Sequence, residues 1–372
     1  MAKTMALEES DRVPVMCQMS FGHMLLQTGF RPLELWYTKE VFAEALLKLR
    51  EIYQFDGILI SLHGHSSQWM EDIQRIQKEK NQEVITWKNG DRTVFVTNDL
   101  PRHYPANTVP APKIENVDPD SIPDTIDFIP VSQGLDFHFD PHHPYDIFYL
   151  LKERVGDLVS IHGEVTSPFD YFIHLFGAKN AMIYLLEAPV KTMEILQKFT
   201  QSVIKIAVGQ AEIGVDAIKI SSPYAGAGFL SPEFYCKFVL PYESQIVNAV
   251  RSLDKHIYIH TCGKIHDRLE QMAESGASGI ECLDPPPIGN VSLQEAKERI
   301  GHTIFIKGNV DPINVMLQGS AEDIKRDVAH RIKVGKPNGG YILSTACSIA
   351  PHTKRENIQI LKDIAEEFGQ YE

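Results

Sequence analysis

Cysteine is scarce, with five in 372 residues, at positions 17, 236, 262, 282 and 347. An odd, thinly spread set argues against a disulfide framework and suits reduced thiols or metal ligands. Positive charge is short as well: 36 Lys and Arg stand against 49 Asp and Glu, for a net charge of −13. That balance speaks against a nucleic-acid surface and against an acidic membrane, and leaves small molecules or another protein as partners. No apolar run of about 18 residues occurs, and no basic-then-apolar leader, so a cytoplasmic enzyme without a membrane span or secretion signal is expected.

What is present is an ordinary soluble composition, 43% hydrophobic and 23% charged. It is enough for one large α/β barrel or for two average domains. A first candidate strand covers 13–19, with Pro14 tolerated only at its start. A helix is expected over 38–53, a buried strand over 57–62, and a hairpin over 83–97 turning at Asn89-Gly90, the pair that favours a type I′ turn. From 101 to 144 the chain is rich in Pro, Asp and His without periodicity and reads as a long excursion over one end of the fold.

Strand and helix signals then alternate. Strands are expected over 158–163, 217–221, 256–262, 279–283, 304–307 and 341–344. Helices are expected over 170–213, after Ser231-Pro232-Glu233, from about 265 to 272, and over 293–300, 321–334 and 355–368. Eight strands each followed by helix, with no linker, predict a single (β/α)₈ TIM barrel spanning 1–372, with an N-terminal extension and an insertion at 80–144 over its rim.

The chemistry gathers at strand ends, and barrel active sites form at that C-terminal rim. His260 and Cys262 stand two apart where the fifth strand ends, so they face the same way and make half of a zinc site. Alone, His-x-Cys is more often a packed thiol beside a satisfied histidine. Cys347, at the end of the eighth strand, would complete a His, Cys, Cys set if both ends open on one rim. Glu164 leaves the third strand, and Asn309 and Asp311 leave the seventh.

The runs Lys307-Gly308-Asn309-Val310-Asp311-Pro312, His260-Thr261-Cys262-Gly263 and 341–351 with Glu356-Asn357-Ile358 resemble the uroporphyrinogen decarboxylase superfamily over nearly the whole chain, most specifically from about residue 158. True decarboxylases of that superfamily carry an arginine-bearing motif after the first strand and a histidine near the last. Here residues 17–24 hold no arginine, and Cys347 stands at the histidine position. His260, Cys262 and Cys347 are similar to the zinc-ligand pattern of the superfamily's corrinoid-dependent methyltransferases. The resemblance implies Zn²⁺, a corrinoid (cobalamin) carried by a partner protein that docks over the rim, and methyl transfer to or from a small molecule; homodimerisation stays open.

The first expectation for the donor is a methoxylated aromatic, because Met16, Met19, Phe21, Leu62 and Trp69 would border an apolar pocket. Alternatives are a methylcobalamin:thiol methyltransferase of the coenzyme M type, a decarboxylase of the uroporphyrinogen type, and a noncatalytic metal-binding or corrinoid-partner protein. Glu164 is the candidate fourth ligand or base, against a rim carboxylate bonded to backbone amides. Asp311 and Asn309 are candidates to orient the ligand histidine or contact substrate, against a structural turn. His63 and His65 are candidates to touch substrate, against loop-stapling histidines. Cys236 and Cys282 read as core thiols, and Cys17 as pocket lining or core.

Overall fold

Seven strands pair in parallel and in chain order: Gly57–Ile60, Ser160–Thr166, Ala217–Ser221, His256–Thr261, Gly279–Cys282, Phe305–Val310 and Tyr341–Thr345. They belong to a computed structural model that describes residues 1–61, 65, 67–80, 82–131 and 135–371. Runs such as Ile257-Tyr258-Ile259 and Ile342-Leu343 are buried on both faces, as parallel strands require. Helices cover the outside. Arg355–Phe368, for example, buries Ile358, Leu361, Ile364 and Ala365 at helical spacing. Among the described residues, no helix is long and apolar enough to cross a membrane.

The first barrel position differs from expectation, because 13–19 is extended but is not a regular strand. Isolated bridges tie Val15 to Leu343 and Met19 to Ile349. The Leu343 amide donates to the Pro14 carbonyl at 2.9 Å, and Met16 donates to Leu343 at 3.0 Å. On the other side the Asp56 amide donates to Val15 at 2.9 Å, and the Asp56 carboxylate accepts from the Val15 amide and from both terminal nitrogens of Arg12. Pro14 has no N–H to donate, so a continuous ladder cannot form. Beyond Asp56, among the described residues, no backbone hydrogen bond joins this segment to Gly57–Ile60. A seam is left in the barrel wall.

Side chains still alternate across the segment. Val13, Val15 and Cys17 pack outward into the main core, whereas Met16 turns into the barrel beside Leu59, Tyr258, Phe305 and Ile342. Gly57 makes room for it, since a Cβ there would lie 2.6 Å from the Met16 sulfur.

The expected hairpin lies inside a four-stranded antiparallel sheet made of Ile73–Lys78, Gln82–Trp87, Arg92–Val96 and Arg102–Tyr104. Phe128–Val131 and Leu135–His138 form a further pair within the stretch expected to be irregular. The long helix expected over 170–213 is three helices, Pro168–Phe176, Ala178–Glu187 and Pro189–Glu212. Gly177, with φ +73°, ends the first, and Pro189 restarts the chain at the third. Phe21–Thr28 and Pro32–Tyr37 are additional helices, the first capped by Ser20 accepting from the His23 amide.

Candidate metal centre

His260 lies in the strand His256–Thr261, and Cys262 follows it at the C-terminal end. Cys347 follows the last strand in a bend fixed by Thr345, whose hydroxyl donates to the Cys347 carbonyl at 2.6 Å. The fold brings these distant residues together: one donor atom from each of His260, Cys262 and Cys347 lies within 4.8 Å of the others. His260 Nε2 is 3.2 Å from the Cys262 sulfur. Gly226 lets the neighbouring loop close on this corner, since a Cβ there would sit 2.6 Å from the Cys262 carbonyl oxygen.

His260 is oriented from behind by Glu281, which is 2% exposed and stands beside it on the adjacent strand. Glu281 Oε2 accepts from Nδ1 at 2.9 Å, which leaves Nε2 as the nitrogen that faces the sulfurs. Around the same level of the barrel the charges alternate. Lys307 ion-pairs with Glu281, and Lys219 lies 2.9 Å from Glu164 Oε1 and 3.8 Å from Glu281 Oε2 while donating to Gln18 at 2.8 Å. The two lysines and two carboxylates cancel.

Burial penalises the Glu281 anion, but Lys307 and Lys219 overcome that and hold its pKa well below the carboxylate range. Burial also opposes charge on His260, yet the Cys262 sulfur and its neighbours hold its pKa well above the ordinary imidazole value. Cys347 is pushed far up, by its contact with Cys262 and by burial. Protons thus crowd onto this cluster wherever a cation does not take their place. Two soft sulfurs and one imidazole nitrogen, on a surrounding ring of zero net charge, match the donor set and charge that a zinc ion takes.

Glu164 is 8% exposed, bonded through Oε1 to Lys219, and its Oε2 is buried without a hydrogen-bond partner. It stays outside the three-donor cluster. Cys282, expected in the core, is fully buried, but its sulfur also belongs to a group with Cys262 and Asp284 whose donor atoms lie within 4.8 Å of one another. Burial pushes its pKa up to about 12, which keeps it a thiol.

A cavity of about 620 Å³ lies beside the three-donor cluster, lined by Glu164, Ser221 and Ser348 and not by the three donors themselves. Met19 and Phe21 line it as expected, and Cys17 lines it as well. Other expectations are corrected. Met16 is wholly buried in the barrel interior and does not line the cavity. Trp69 stacks on Tyr37 at 3.9 Å instead of facing the cavity. Asn309 is fully buried, donating to the Leu283 carbonyl at 2.8 Å and accepting from Arg331. Asp311 caps the helix Pro312–Leu317 through the amides of Ile313 and Asn314, both at 2.8 Å. Asn309 therefore ties its strand end to Leu283 and Arg331, Asp311 serves the turn, and Glu281 does the orienting expected of them. His65 packs 4.1 Å from Phe137 with its pKa lowered to about 3 by burial, away from the cavity. His63 and Leu62 lie outside the described residues.

Glu281, Lys219 and Lys307 carry no recognisable role in the sequence by itself. The available signal was a lone charge inside an otherwise apolar strand, as in Ala217-Ile218-Lys219-Ile220, because such a charge survives burial only with a partner.

The family model described as uroporphyrinogen decarboxylase (URO-D) matches residues 123–368. The chain is 29% identical over 220 residues to the methylcobamide:CoM methyltransferase MtbA of Methanosarcina acetivorans, covering 59% of this chain and 61% of that one. It is 28% identical over 233 residues to the uroporphyrinogen decarboxylase of Ruthia magnifica, covering 60% and 65%. The chain thus spans less than two thirds of the length of these curated relatives. A methyltransferase from Methanosarcina mazei shares the fold with a TM-score of 0.74 at 22% identity, over 99% of this chain and 97% of that one.

Proposed function

The chain belongs to the uroporphyrinogen decarboxylase family, and from that premise we propose a zinc-dependent methyltransferase that moves a methyl group between a small molecule and a corrinoid carried by a partner protein. The observation that carries this reading is the convergence of His260, Cys262 and Cys347 donor atoms within 4.8 Å. A decarboxylase of acidic porphyrinogens is less well supported, since residues 17–24 supply no arginine and Cys347 stands where that branch has histidine.

His260, Cys262 and Cys347 would hold the zinc, with Glu281 fixing the histidine tautomer. Bound there, zinc would supply a Lewis acid that favours the deprotonated form of a substrate sulfur or draws charge from an ether oxygen. Lys219 neutralises Glu164 through Oε1 and leaves Oε2 unbonded at the cavity, where it can take or return the substrate's proton. The apolar wall around Met19 and Phe21 keeps bulk water from the reacting atoms.

For the small molecule, a thiol acceptor is the favoured reading, because MtbA is named for the methylation of coenzyme M. O-demethylation of a methoxylated aromatic is the second reading, favoured by the largely apolar cavity. To test the reaction, the zinc-loaded protein is mixed with cobalt(I) corrinoid protein and candidate methyl donors, or with methylated corrinoid protein and thiols, and the cobalt absorbance is followed. Transfer that depends on zinc and is lost in Cys262→Ala is the expected result. Equal transfer by the zinc-free protein or by Cys262→Ala would overturn the reading.

A further inference from the structure

The cavity does not stop at the rim. Its lining includes Gln18, Ser61 and Glu164, which face into the barrel, and also Phe42, Leu46 and Ile58, which belong to the layer between the barrel wall and the helix Lys39–Tyr53. A continuous space with walls of both kinds must cross the wall, and it does so where the wall is open, between 13–19 and Gly57–Ile60. Phe55 and Ser61 both line it, and at about 3.3 Å per residue those levels are roughly 20 Å apart. The part of this passage that lies under the helix Lys39–Tyr53 is walled by Phe42, Leu46, Leu49 and Phe55, an apolar lining that suits an alkyl chain or a flat ring.

At the low end of this passage stands Arg50. Its Nε is buried and has no hydrogen-bond partner, and among the described residues no carboxylate lies within ion-pair distance of it. A guanidinium that borders an apolar space with a buried, unbonded N–H offers an anion a site whose polar cost is already in place.

We propose that this passage binds a substrate with an extended apolar body ending in a carboxylate, with the carboxylate on Arg50 and the reacting heteroatom at the rim beside Glu164. The position of the heteroatom rests on the methyltransferase reading, whereas the Arg50 end does not. The substrate class is therefore an apolar carboxylate, aliphatic or aromatic, that carries a thiol or a methylated oxygen at its far end.

The test is calorimetric titration of the zinc-loaded protein with butanoate, octanoate and dodecanoate, and with dodecanamide as the uncharged control. Affinity is expected to rise about fourfold per methylene until the passage fills. Arg50→Gln should weaken dodecanoate about tenfold or more, Arg50→Lys should restore part of the loss, and dodecanamide should respond to neither. Among the described residues the Arg50 side chain makes no hydrogen bond or ion pair, so the variants are expected to fold normally, which thermal melting checks. Absence of binding, equal affinity for dodecanoate and dodecanamide, or an unchanged Kd in Arg50→Gln would each overturn the proposal. Titration with 12-mercaptododecanoate separates the two readings. If its sulfur adds no affinity and Cys262→Ala changes nothing, the zinc end fails while the Arg50 site stands.

Discussion

Glu281 and His260 face each other across neighbouring parallel strands, joined by a 2.9 Å hydrogen bond from the imidazole Nδ1. Glu281→Gln keeps the shape of the acceptor but removes its charge and allows the amide to present the wrong group. Zinc affinity is expected to fall roughly 10- to 100-fold, measured by competition with a chromogenic chelator.

Lys219 sits between two buried carboxylates. In Lys219→Met, Glu164 keeps no ion-pair partner among the described residues, and Glu281 keeps Lys307 and His260. Urea denaturation should show a loss of about 3–5 kcal/mol. Adding Glu164→Gln should recover much of it, and simple additivity of the two changes would contradict the pairing.

Gly226→Ala tests the corner beneath Cys262. The new methyl would meet a backbone oxygen at 2.6 Å, and backbone cannot rotate away as a side chain can. We expect a cost of about 1–3 kcal/mol, together with reduced zinc content by elemental analysis. Full zinc loading with unchanged stability would show that this loop yields more freely than its packing implies.

Asp170 predicts a pH dependence. It is buried at the cavity wall, accepting from the Ser167 hydroxyl, and burial pushes its pKa up from 3.8 to about 8, with nearby Glu243 adding to the rise. A carboxyl raised in the folded state holds a proton there that the unfolded chain releases. Its contribution therefore falls as pH rises from about 4 to 8 and is constant above and below. Asp170→Asn should flatten the stability profile over that window and gain on the order of a few kcal/mol at the alkaline end. Guanidinium unfolding at pH 5 and pH 8 checks it, and parallel curves for the two proteins would count against the assignment.

Barrel strands and their helices were legible in the sequence because apolar runs and helical periodicity are local signals. The convergence of His260, Cys262 and Cys347 was legible for a related reason, since a strand end fixes where the next residue emerges, and through the family resemblance. What escaped were facts set by neighbours distant in sequence. Glu281 looked like any strand residue until the register put it beside His260, while of the two candidates for orienting that histidine Asp311 is satisfied by its turn and Asn309 by Leu283 and Arg331. Pro14 gave warning that 13–19 would pair poorly, yet no local pattern says that the wall there opens into a cavity.

The half-paired segment at 13–19 has a consequence for the order of assembly. Apart from Asp56, its partners are Leu343 and Ile349 near the far end of the chain, and His23 just beyond it bonds to the Pro351 carbonyl, 328 residues away in sequence. On a ribosome the early half of this contact must wait until the late half has been made, so the closing stave of the barrel is set after every other. The passage bordered by Met19, Phe21 and Pro351 is then the last part of the molecule to take shape, and a nascent chain lacking its final strand would have six neighbouring strands in place but neither Cys347 nor the Pro351 wall of the passage.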